Sequence, residues 1–226
     1  EGAYNFLDNE GALAVLDSQG IFQPVALTNA NSKVTEYRGE FIGSYGRPLL
    51  ENLSLQATLG GEYSKISQSG AAGQSRSFIR PKGSLSLAWR PQDDLDISLK
   101  LERSVGQLNF FDFVESVDVS QNNGNAGNPE LVPPQSWRAE LEATRKLGPW
   151  GSMTVNIYGE KFSDIVDSIP ITATTEARGN LDSATSYGVE LLTSILFDPI
   201  GWAGAKLDFE GEIRKSSLND PVTGVS

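Results

Sequence analysis

The chain has 226 residues, with 18 Lys and Arg against 29 Asp and Glu, a formal charge of -11. That balance excludes nucleic acid as a partner, because its binders need a basic patch to displace phosphate counterions. With neither Cys nor His, disulfides, Ser-His-Asp or Cys-His nucleophiles and His/Cys metal clusters are excluded too. No run of about 18 apolar residues exists, so no transmembrane helix is expected; alternating strands, apolar on one face only, are still compatible with a membrane.

Period-two alternation dominates, and nine candidate strands follow in chain order. Residues 3–15 are the least regular, and 34–46 come next. Over 53–63, Leu53, Leu55, Ala57, Leu59, Gly61 and Tyr63 oppose Ser54, Gln56, Thr58, Gly60 and Glu62. Ile79, Leu85, Leu87 and Trp89 oppose Arg80, Lys82, Ser84, Ser86 and Arg90. Leu95, Ile97, Leu99 and Leu101 oppose Asp94, Asp96, Ser98, Lys100 and Glu102. Trp137, Ala139 and Leu141 oppose Arg138, Glu140 and Glu142. Residues 151–166 and 184–196 are less regular. Ala205, Leu207, Phe209 and Ile213 finally oppose Lys206, Asp208, Glu210, Glu212 and Arg214.

Long connections (16–33, 68–76, 105–135, 167–183 and after 216) alternate with tight joins at 47–51, 91–93, 148–150 and 198–201. A meander with its short turns at one end and its long loops at the other is the layout of an outer-membrane barrel; Greek-key sandwiches do not segregate loops that way. Trp89, Trp150 and Trp202 stand beside short turns, where an interfacial girdle would put them. Strands of about 12 residues exceed both the globular norm and the ~9–11 needed to cross a bilayer. Their apolar wall is too large for a soluble monomer and no helix layer is available to cover it, so lipid is the expected cover. The expected fold class is therefore all-β, a transmembrane antiparallel up-and-down barrel. About nine strands do not close an even-numbered barrel, so the chain reads as a piece of a larger one.

Three segments resemble the β-barrel of TonB-dependent receptors. Arg103-Ser104-Val105-Gly106-Gln107-Leu108-Asn109-Phe110-Phe111-Asp112-Phe113 is similar to a strand-to-loop segment of that family. Gly127-Asn128-Pro129-Glu130-Leu131-Val132-Pro133-Pro134-Gln135-Ser136-Trp137 resembles its Asn-Pro-x-Leu-x-Pro-Glu motif, with Pro134 and Gln135 where Glu is usual. Gly179-Asn180-Leu181-Asp182-Ser183-Ala184 with Tyr187-Gly188-Val189-Glu190 is similar to its Asn-x-x-x-Ala-x-x-x-Gly-x-Glu strand. The motifs occur in the family's order and the likeness covers roughly residues 34–216.

The resemblance implies a 22-stranded barrel in the outer membrane of a Gram-negative bacterium, plugged by an N-terminal domain. It implies import of a scarce nutrient (siderophore, vitamin, sugar or peptide) with energy relayed by TonB. Residues 1–226 would then be wall and external loops, with the plug and TonB box outside them. The implied partners are outer-membrane lipid, the plug, TonB through the plug, and a small nutrient. A passive porin and a surface β-sandwich adhesin module are the alternatives.

No catalytic residue, metal site or cofactor is expected. Asp118–Gly124 only faintly matches a calcium loop, its Gly and Glu130 each falling one place late. The strict alternation of Glu140, Glu142, Glu210 and Glu212 with apolar residues makes them one strand face each rather than an acid-base pair. As lumen- or plug-facing residues the reading gives Arg80, Lys82, Lys100, Glu102, Arg138, Glu140, Glu142, Asp208, Glu210 and Glu212. Candidate ligand contacts in external loops are Phe110, Phe111, Phe113, Asn122, Asn123 and Arg178; the alternative for the three phenylalanines is packing against a neighbouring loop.

Overall fold

A computed structural model describes residues 1–27, 31–70, 73–118, 123–171 and 175–218. Alternating side chains and Pro/Gly turns produce an antiparallel meander. Its strands are β1 (Gly2–Asn9), β4 (Ser32–Leu50), β5 (Leu53–Gln68), β6 (Ser75–Gln92) and β7 (Leu95–Val105), then β10 (Gln135–Lys146), β11 (Gly151–Pro170), β12 (Thr175–Leu196) and β13 (Lys206–Leu218). They pair in the order β1-β4-β5-β6-β7-β10-β11-β12-β13, each neighbour antiparallel. Short β2 (Leu13–Leu16) and β3 (Phe22–Val25) form a separate hairpin. Strands β8 (Ser116–Asp118) and β9 (Asn123–Asn125) lie within the β7–β10 connection. Residues 3–15 are thus β1 plus the first strand of a hairpin, not one strand.

All-or-none alternation across a sheet requires matched register, and the register is matched. Leu55, Leu87, Leu99, Leu141, Ile157, Val189 and Ile213 form one continuous row across seven strands. One residue along, Gln56, Ser86, Lys100, Glu140, Tyr158, Gly188 and Arg214 form a row on the opposite face. Most large exposed apolar side chains of these strands, among them Phe41, Leu59, Ile79, Leu99, Ile157 and Ile213, belong to the first face, called outer here. The ten residues expected to face the lumen share the second face, called inner here.

The outer band has edges. At the short-turn end stand exposed Trp89, Trp150 and Trp202; toward the other end stand exposed Tyr37, Tyr63, Trp137 and Tyr187. Trp89 pairs with Leu53, ten residues below Tyr63 on β5. At ~3.3 Å per residue and a tilt of about 40°, that is a rise of about 25 Å, the height of the apolar band of an outer-membrane barrel.

Several strands run beyond this band. β4, β11 and β12 have 19, 20 and 22 residues, about 60–70 Å at ~3.3 Å each. The 68–76 loop is therefore only residues 69–74, and most of the expected 167–183 loop, Arg178 included, is strand. Above the band the faces exchange polarity. Outward positions become Thr35, Lys65 and Ser77, while inward positions become Val34, Ile66 and Phe78. There the outward face is polar, and a packed loop covers the inward one. The hydrophobic cluster of buried residues accordingly sits there, on the inner face: Val34, Ile66, Phe113, Val114 and Leu131.

Candidate functional site

Strands of unequal height create the site. β6 last pairs with β7 at Gly83–Arg103 yet continues to Ser75, and β11 continues past its last β10 partner, Ser163, to Pro170. A notch is left between two tall walls, and residues 106–118 and 123–134 fill it as a strap. Gly106 N–H donates to Pro134 O at 2.7 Å, tying off the strap's base. Asn109 Oδ1 caps a 3-10 turn (Phe110–Phe113) by accepting from Phe111 N. Gly127, at φ +66°, is needed where the chain returns: a Cβ there would lie 2.7 Å from Phe113 O, and a left-handed residue without Cβ avoids both costs.

The Asn-Pro-x-Leu segment then crosses from one wall to the other. On the β12 side, Asn128 Nδ2 donates to Arg178 O at 2.8 Å. Asn180 accepts from Val132 N and donates back to Val132 O, both at 2.8 Å, and also donates to Asp164 O. On the β5–β6 side, Gln74 donates to Pro129 O at 2.6 Å and Gln68 to Phe113 O at 3.0 Å, while Arg76 donates to Glu130 O and Leu131 O. Backbone carbonyls that burial would otherwise orphan are satisfied by wall side chains. Two of the motifs noted in the sequence, those of Asn128 and Asn180, therefore hold each other. Leu131, only 1% exposed, is the strap's anchor between Val34, Ile66 and Phe113.

Phe113 is 2% exposed within that cluster and Phe110 packs against it. Of the two readings of these rings, packing is what the structure shows for both, and Phe113 offers no surface to a ligand. Phe111 points away and is 63% exposed. Arg178, expected to sit in a loop, comes instead from β12 and lines the same cleft as Phe111.

Phe111, Asp112, Ser116, Ser168, Glu176 and Arg178 line one cleft of about 260 Å³. The Arg178 guanidinium lies 3.6 Å from both Asp112 and Asp167. Burial pushes the Asp112 carboxyl above its usual range, and Arg178 offsets this in part. Asn123 lies in β9, opposite Asp118, and β9 adds in parallel to the start of β12. Asn122 and most of the faint calcium loop fall outside the described residues.

Below the strap the inner face is a charged lattice. Lys82 Nζ bridges Glu40 at 2.8 Å and Glu62 at 3.2 Å, and Arg80 lies 3.9 Å from Asp164. Lys100 pairs with Glu102 at 2.7 Å, and Lys206 with Asp208 at 2.8 Å. Arg138 joins Glu140 at 2.9 Å to Glu160 at 3.3 Å while covering the Tyr158 ring at 4.3 Å, and Tyr158 OH donates to Glu212 at 2.5 Å. Glu142 and Glu210 make no ion pair among the described residues. Alternation puts these ten residues on one face; the anchors Gln68, Gln74 and Arg76 were not singled out, because their part depends on where a distant loop folds.

The family model described as TonB dependent receptor-like, beta-barrel, matches residues 3–224. No curated protein matches the sequence. Among solved structures, the FrpB iron transporter from Neisseria meningitidis (F3-3 variant) is similar at TM-score 0.59 and 12% identity, over 89% of this chain and 29% of that one. A double mutant of the Serratia marcescens hemophore receptor HasR, in complex with its hemophore HasA and heme, gives 0.64 and 12%, over 82% and 35%. The siderophore receptor PirA from Pseudomonas aeruginosa gives 0.54 and 13%, over 86% and 42%. The likeness to these structures is one of fold, and the chain spans well under half the length of each.

Proposed function

Because this chain belongs to the TonB-dependent receptor β-barrel family, we propose that it is wall and external loops of an outer-membrane receptor that imports a scarce nutrient using energy relayed by TonB. The observation that carries this reading is the outer apolar band of about 25 Å between two aromatic belts, backed by a polar inner face in matched register. Lipid satisfies the first face. A plug domain carried elsewhere in the full-length receptor satisfies the second, with Glu142 and Glu210 among the carboxylates open to it. The long connections stand outside the cell and the short turns face the periplasm. The strap closes the notch in the outer rim, and the cleft holding Phe111 and Arg178 opens beside it as the cargo's first contact. No step of this work requires the receptor to make or break a covalent bond in its cargo.

The test is growth of a strain lacking the gene on limiting iron chelates, cobalamin, oligosaccharides or peptides. One condition should show a defect, restored by the full-length gene and reproduced by loss of TonB. A defect that loss of the gene causes and loss of TonB does not reproduce would point to a passive porin instead.

A further inference from the structure

We propose that the cleft beside the strap takes a neutral, polyhydroxylated cargo of the saccharide kind, with Phe111 as its apolar platform, Arg178 as donor, and Asp112 and Glu176 as acceptors. This rests on the receptor reading above and names the class of its cargo. The first ground is the balance of charge. The connections 16–33, 68–76, 105–135 and 167–183 together carry eight Asp and Glu against three cations, Lys33, Arg76 and Arg178. A rim of that sign repels anionic chelates and raises the local concentration of neutral or cationic solutes.

The second ground separates neutral from cationic. Of these cations Arg178 lies inside the cleft, among its lining residues, so a cationic cargo would meet it head on. A hydroxyl group both donates and accepts, and so serves Arg178 and the carboxylates at once. The donors are available: Asp112 and Asp167 stand 3.6 Å from Arg178, beyond hydrogen-bond reach, and its guanidinium makes no hydrogen bond among the described residues. Ser116 and Ser168 add two hydroxyls at the same wall.

The third ground is Phe111. Its neighbours Phe110 and Phe113 are spent on the apolar cluster, whereas its own ring is 63% exposed at the cleft. An exposed ring beside polar groups suits a molecule with an apolar C–H face and a polar edge. Sugars have that division.

The purified full-length receptor in detergent is titrated calorimetrically with a panel of neutral glucose, xylose and mannose oligosaccharides, with ferric citrate, and with trilysine. A neutral oligosaccharide should bind, and Phe111→Ala and Arg178→Ala should each weaken it about tenfold, the loss of one good contact. Phe111 supports no packing, so its variant should keep the parent's circular dichroism and melting temperature. Binding of ferric citrate or trilysine in preference, silence from the whole oligosaccharide panel, or oligosaccharide binding indifferent to both substitutions would each overturn the assignment. TonB-dependent growth on an anionic chelate would also overturn it while leaving the receptor reading intact.

Discussion

Asp112 is pulled two ways, by burial and by the Arg178 cation 3.6 Å off. Burial wins, and its carboxyl is held above the usual range. The folded state then holds that proton more tightly than the unfolded chain. Its share of stability is therefore greatest below the unfolded-state pKa and is lost as pH rises through the folded one. Asp112→Asn should slow hydrogen exchange of the strap amides at neutral pH, with the difference vanishing below about pH 4, where the acid is protonated in either state. Faster exchange in the Asn variant would show that the Arg178 pair outweighs burial. Leu131 is simpler. Truncating it to Ala should cost about 2–5 kcal/mol, the range for a buried Leu, seen as early local unfolding of the strap. Leu131 was visible in the sequence as part of a motif, but not as an anchor. Phe113 was grouped with Phe111 because a run of aromatic residues carries no sign of which ring turns inward; only the 3-10 turn, capped by Asn109, decides that.

At the scale of elements, the strap is held chiefly by side chains reaching its backbone from both walls. Asn180 makes two such bonds, to Val132 N and O, and a third to Asp164 O of β11, so Asn180→Ala should leave buried groups unpaired at about 1–3 kcal/mol apiece. Chymotrypsin should then cut at Phe111 and Phe113 much faster, while strand amides of β5 and β10 keep their exchange protection. Unchanged cleavage would mean that the apolar cluster alone holds the strap. Strand existence, turn positions and face assignment were legible beforehand from alternation, because one lipid-facing side imposes it. Strand length was not. Above the band Val34, Ile66 and Phe78 point inward and Lys65 and Ser77 outward, which reads as a broken pattern until two solvents are recognised along one strand. For the same reason the upper belt of Tyr37, Tyr63, Trp137 and Tyr187 was overlooked, while the three tryptophans marked by turns were found.

On the scale of the whole molecule, the receptor reading gives one sheet three surroundings: lipid outside, a polar interior, and water above the rim. Charge placement follows. Ion pairs such as Lys82 with Glu40 and Glu62 lie on the inner face, and Leu99 sits mid-row on the outer one. Leu99→Arg in the full-length receptor should cost ~2–4 kcal/mol if it lies at the bilayer midplane. The most direct test of the account is accessibility of single spin labels in the full-length receptor reconstituted into vesicles. Labels at 55, 87, 99 and 207, replacing outward Leu55, Leu87, Leu99 and Leu207, should collide with oxygen and escape an aqueous nickel quencher. Labels replacing Ser54, Ser86, Ser98 and Asp208 should show little oxygen contact, shielded from lipid on the inner face. Equal quencher access at both sets would contradict the account.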